Sequence, residues 1–148
     1  MPIYSCPAPK RTKMETRFEA SSCDHDALRE IVDAVHDQWF NLSDIRHDKD
    51  IATLTIQTHV PLRSRSHKRR RLGVLTFYDT PLAPAKLILT GVQRLMVNDN
   101  SGTGRADIND IVLTDQSCRI TCGIPLEVIA EGTRLKLALV IQDIGPTS

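Results

Sequence analysis

The densest chemistry in this chain lies in Arg63-Ser64-Arg65-Ser66-His67-Lys68-Arg69-Arg70-Arg71, where six of nine residues are Lys or Arg. Each such cation that neutralises a phosphate releases a counterion, so a segment of this kind can bind RNA or DNA without reading its sequence. The same charge could meet an acidic protein, or serve as an import signal in a eukaryotic host. The simpler account is a solvated connection kept soluble by its charge. No aromatic residue is interleaved in the run to stack on bases, and no helix is expected to present it to a groove. Phosphorylation of Ser64 or Ser66 would lower the local charge. The candidate polyanion contacts are therefore Arg63, Arg65, Lys68, Arg69, Arg70 and Arg71.

Cysteine and histidine offer a second chemistry. Cys23 and His25 are two residues apart and Cys118 and Cys122 four apart, and four ligands of these types suit tetrahedral zinc. The spacing argues against it. If residues 118–122 are extended, the two thiols fall on one face of a strand roughly 13 Å apart, too far to share an ion. Cysteine packed as a small hydrophobe explains the pair better, and no metal ligand is assigned. His25, His36, His47, His59 and His67 are scattered, with no nucleophile elbow beside any of them. No catalytic residue is assigned either.

Asn98–Arg105 has the glycines of a phosphate-cradling loop but lacks the Gly-Lys-Ser/Thr ending, and no amphipathic helix follows it. Asp99, Asp107 and Asp110 do not follow the ligand order of a calcium-binding loop. Asp24, Asp26, Asp33 and Asp37 give the only expected helix an acidic surface. Asp24 and Asp26 there suit its positive N-terminus.

These groups must be positioned by elements that the pattern makes visible. Leu28, Ile31, Val32, Val35 and Trp39 recur at helical spacing, with Asp24 as the expected cap and Asn41 as the expected stop. The period then changes to two. Leu54, Ile56, Thr58 and Val60 alternate with Thr53, Thr55, Gln57 and His59, as in a half-buried strand. Ile45 suits a short strand before it. Further strands are expected at 71–78, 85–97, 110–114, 118–122, 126–130 and 134–142. Turn chemistry separates them at Asp79-Thr80-Pro81, 98–104, Asp115-Gln116, 123–125 and Glu131-Gly132. Gly91, inside a long strand, reads as a bulge or a close approach of chains. Short connections favour antiparallel pairing.

The predicted fold class is α+β: one N-terminal amphipathic helix packed on a predominantly antiparallel sheet, or a partly closed sandwich, of about six to eight strands. Residues 1–21 are expected to be a disordered basic, proline-rich tail. Residues 22–143 are expected to form one domain with a flexible basic loop at 62–70, and 144–148 a disordered end. A chain of 148 residues, 41% hydrophobic and 25% charged, can bury a core without staples. Its net charge of +1 gives no global attraction to polyanions or membranes, so any such binding must be local. No apolar run approaches a membrane span, and the first residues lack a signal-like apolar region. Four cysteines without an export signal suggest free thiols and a cytoplasmic setting.

Around Leu87-Ile88-Leu89-Thr90-Gly91-Val92-Gln93-Arg94-Leu95, an apolar–Gly-Val–x-x–apolar segment, residues 38–142 resemble small uncharacterised bacterial β-rich domains of interaction or immunity type. That resemblance implies binding without an assigned catalytic residue and supplies no cofactor. The leading expectation is accordingly a non-enzymatic interaction domain with a protein partner. Nucleic acid or another polyanion, bound through Arg63–Arg71, is the first alternative. A metalloprotein or enzyme using Cys23, His25, Cys118 and Cys122 is the second.

Overall fold

Two long antiparallel strands, β7 (Leu82–Asp99) and β10 (Leu126–Ile144), organise the computed structural model, which describes residues 13–62, 67–72, 75–99, 102–123 and 126–144. The remaining elements are β1 (Lys13–Ser21), α1 (His25–Val35), β2 (Trp39–Asn41), β3 (Ile45–Asp48), β4 (Thr53–Pro61), β5 (His67–Leu72), β6 (Leu75–Asp79), β8 (Arg105–Leu113) and β9 (Ser117–Cys122). The main sheet is antiparallel and eight-stranded, in the order β2-β8-β9-β10-β7-β4-β3, with β1 also on β10. The two partners on that side of β10 divide its length. Residues 127–131 pair with β9 and 136–144 with β1. The sheet curls into a half-barrel that brings β2 against β4, where the buried Thr58 hydroxyl donates to the Trp39 carbonyl at 2.9 Å. The molecule is mostly β, with one α-helix and a single 3-10 turn (Leu42–Asp44) among the described residues, and α+β describes it broadly. No helix among those residues is long and apolar enough to cross a membrane.

The alternation expected in residues 53–60 sets the inner face: Leu54, Ile56, Thr58 and Val60 are all buried. Leu87 and Leu89 of β7, Leu137 and Leu139 of β10, and Ile31 and Val35 of α1 join the same core. Burial of each such leucine or isoleucine contributes about 1.5–3 kcal/mol, which is why period-two positions, once registered, hold the sheet.

The long pair is kinked midway. Registration shifts between Gly132 opposite Val92 and Lys136 opposite Thr90, so three residues of β10 face Gly91 alone. Gly91 has φ +89° and Arg134 φ +51°. A β-carbon on Gly91 would lie 2.4 Å from the Thr133 carbonyl oxygen, and one on Gly132 would lie 1.8 Å from that of Gly91. Both the bulge and the close approach expected at Gly91 are therefore present. The backbone groups released by the bulge find partners in neighbouring turns. Gly132 and Leu135 donate to the carbonyls of Gln116 and Asp115, and Val92 donates to that of Ala52. His47 Nε2 lies 3.2 Å from the Val92 carbonyl.

Several boundaries differ from expectation. The helix is not the first element, because residues 13–21, expected within a tail, pair along their whole length with β10. The sequence there does alternate, but Phe18 and Ala20 supply too few apolar positions to reveal a strand without its partner. Ile144, placed in a disordered end, closes that same ladder opposite Lys13. The helix also stops early, at Val35 rather than near Asn41. Asp37 takes φ +64° and its N–H donates to the Ile108 carbonyl of β8, so the chain leaves the helix and Trp39 enters β2. Asp24 sits at the cap position without capping by its side chain. Its carboxylate instead accepts from the Ser21 N–H at 3.2 Å and the Ser21 hydroxyl at 3.0 Å, which lowers its pKa. Glu131-Gly132 is a bulge within β10, not a turn between strands. The loop expected at 62–70 is part strand, since β5 starts at His67.

Candidate functional site

The basic run is divided by the fold. Arg63 and Arg65 lie outside the described residues, whereas Lys68, Arg69, Arg70 and Arg71 lie in β5. Among the described residues this strand pairs with β6 alone, forming a two-stranded sheet separate from the eight-stranded one. The Leu62 N–H donates to the Pro81 carbonyl at 2.9 Å and so closes the foot of the excursion. Registration in the hairpin places Lys68 opposite Tyr78, Arg70 opposite Phe77 and Arg71 opposite Thr76, with a shift between Lys68 and Arg70 that leaves Arg69 at the irregularity. Aromatic positions absent from the linear run are thus supplied across the strand pair. Reading the run along the chain misses Phe77 and Tyr78, because the pairing depends on where the hairpin turns.

Near the foot of the hairpin, the body carries charge of the opposite sign. Asp33, His36, Asp37, Gln38, Pro61 and Thr80 line a cavity of about 580 Å³ between the end of α1 and the root of the hairpin. His36 Nδ1 and the Asp37 carboxylate are 3.2 Å apart there. The side of β4 that carries His59 holds an aromatic contact as well. The Trp39 and His59 rings are 4.8 Å apart and tilted by 33°, and the Arg105 guanidinium lies 5.0 Å from the Trp39 ring centre. That cation–π contact joins β2 to the start of β8, whereas helical spacing alone places Trp39 on α1.

The metal and enzyme candidates are placed apart from one another. Cys23 is exposed before α1, while Cys118 is buried in β9 and Cys122 half-buried at its end. Burial pushes the Cys118 thiol up to about 12. Burial first, then the neighbouring Asp107 carboxylate, pushes Cys122 up to about 11. Both thiols are held protonated at neutral pH, the opposite of what a metal ligand or nucleophile needs. Among the described residues no three His, Cys, Asp or Glu side chains form a group that could hold a metal ion. In the 98–105 loop, Asp99 Oδ1 accepts from the Gly102 N–H at 3.0 Å, an interaction that supports the loop's own turn. Asp110 Oδ1 likewise accepts from the Ile111 N–H.

The β5–β6 hairpin sets the cationic run in register with Phe77 and Tyr78, and it is the candidate site. Comparison with known proteins finds no matching family model, curated protein or solved structure.

Proposed function

We propose that this domain is a non-enzymatic binding module that holds a polyanion, with the phosphate backbone of nucleic acid as the ligand, through the β5–β6 hairpin. The observation that carries this reading is the hairpin itself: a cationic strand, paired with a strand bearing aromatic residues, outside the main sheet. Lys68, Arg69, Arg70 and Arg71, with Arg63 and Arg65 ahead of them, would neutralise phosphates and release counterions. Phe77 and Tyr78 would add stacking to exposed bases, and a two-stranded ribbon is narrow enough to enter a major groove. Binding of this kind selects charge density over sequence. The free thiols suit the reducing cytoplasmic setting in which such a ligand is met.

Titration with single-stranded RNA, single-stranded DNA and duplex DNA over a salt series tests the proposal. Affinity should fall steeply with salt. Replacing Arg69, Arg70 and Arg71 together by Ala should weaken duplex binding at least about tenfold at low salt and reduce the salt slope by about three. Absence of binding at low salt, or binding that ignores the triple substitution, overturns the reading.

A further inference from the structure

Three strands that end a line of pairing in the main sheet are not alike, and among the described residues β7 also lacks a paired strand on its β4 side beyond Thr90. β2 offers only three residues, and its Trp39 carbonyl is already taken by Thr58. β3 offers four, and Arg46 folds back to donate to the Ser43 and Ile45 carbonyls beside it. Short length and a charged side chain laid over the edge are the usual means of blocking an unwanted strand. β1 is nine residues long, and beyond it no strand lies among the described residues.

Its register determines which backbone groups face outward. The Ser21 N–H donates to Asp24, and the Ser21 carbonyl accepts from the Asp24 N–H, so the backbone of Ser21 is turned away from β10. The β1–β10 ladder runs without a bulge, so the two-residue repeat turns Glu19, Arg17, Glu15 and Lys13 the same way. Glu15, Arg17 and Glu19 are exposed. Their charges alternate in sign, unlike the block of one sign that would repel another copy.

We propose that β1 is a homodimerisation edge, at which β1 of a second copy adds antiparallel about a two-fold axis through Thr16. Opposed residues in such a pair must both face the ladder or both face away, so the axis has to pass through a residue. An axis through Arg17 sets Arg17 against its own copy and Glu15 against the partner's Glu19, both repulsive, and Lys13 against the partner's Ser21, whose backbone is already occupied by Asp24. An axis through Phe18 uses Ser21, whose backbone is already occupied by Asp24. The axis through Thr16 sets Glu15 opposite the partner's Arg17 and Lys13 opposite the partner's Glu19, each twice by symmetry. Of the five outward-facing residues of β1, the four whose backbone is not already taken by Asp24 are then hydrogen-bonded and opposed by the opposite charge. An interface related by a two-fold axis closes at two copies, which keeps an open edge from propagating into a fibre.

Sedimentation velocity on the full chain, from about 10 μM to 1 mM, should show a monomer–dimer equilibrium. Glu15→Arg and Arg17→Glu should each raise the dimer dissociation constant at least about tenfold by setting like charges opposite one another. The exchanged double variant should restore dimerisation. Both residues are exposed, and circular dichroism checks that each variant keeps its fold. Amide protons of Glu15, Arg17 and Glu19 should also become protected from exchange as concentration rises. A chain that stays monomeric to the highest concentration overturns the proposal. So does a dimer indifferent to either single reversal, or one that the exchange does not restore.

Discussion

Two antiparallel strand pairs in this protein obey the same backbone rules and end with opposite properties. The β7–β10 pair is long, apolar on its inner face, flanked by other strands and bent through a glycine contact. The β5–β6 pair is short, carries the most concentrated charge in the chain and, among the described residues, pairs with no further strand. A strand pair contributes stability when its side chains bury against neighbours, and an isolated hairpin is marginal in water. The difference teaches where selection can act without cost to the fold. The long pair cannot change without disturbing the core, whereas the hairpin lies outside the eight-stranded sheet.

The comparison breaks most visibly at the kink. Gly132→Ala forces a β-carbon into the Gly91 carbonyl, a backbone atom that cannot swing aside. It should destabilise the domain by about 4 kcal/mol, measured from the urea midpoint. Gly91→Ala should cost somewhat less, about 3 kcal/mol, from its positive φ and its approach to Thr133. Loss of less than about 1 kcal/mol in both would mean that the two strands can separate at the bulge without penalty.

The hairpin should behave in the contrary way. The same Arg69, Arg70, Arg71 triple substitution that weakens polyanion binding should leave the unfolding midpoint within about 0.5 kcal/mol of the parent. A large loss of stability would show that the hairpin is part of the body after all.

The smallest effect concerns the surface carboxylates where β1 joins the sheet and the helix. Glu19 is held below the usual range by hydrogen bonding to Lys136, then to Arg17, and Asp24 by the backbone and hydroxyl of Ser21. A carboxyl with a lowered folded-state pKa adds stability that is fully present above its unfolded value and is lost as pH falls through the folded one. Their contribution should therefore persist at neutral pH and fade only in acid, below the ordinary values of 4.5 for Glu and 3.8 for Asp. Lys136→Met should move the Glu19 midpoint upward in a carboxyl NMR titration and that of Asp24 upward by less, since Ser21 is the main cause there. Equal movement of both would place the cause in overall charge instead of the named contacts.

How much of this was legible beforehand differs from one element to another. The strand at β4 was readable because one face is buried along its whole length, and burial on one face writes a period of two into the residues. Gly91 was readable because a glycine weakens a strand of β-branched and aliphatic residues unless the backbone there needs the missing side chain. β1 was hidden, since an edge strand with charged residues at every second position resembles a polar tail until its partner is known. The candidate site was half visible. The cations declared themselves by number, but Phe77 and Tyr78 could be matched to them only through the hairpin register.

The sequence by itself determined the dominant period of the chain, the inner face of its strands, the existence of one amphipathic helix and the position of its cationic segment. These follow from local composition and spacing, which do not depend on distant residues. Tertiary structure decided where the helix stops, which strands share β10, how the bulge is satisfied and what stands opposite the arginines. The first three are settled by backbone partners far away in the chain, Ile108 for Asp37, β10 for β1, and Gln116 and Asp115 for the bulge, and the last by where a local hairpin turns. A hydrogen-bonding group must be satisfied somewhere, but the residue that carries it does not reveal where.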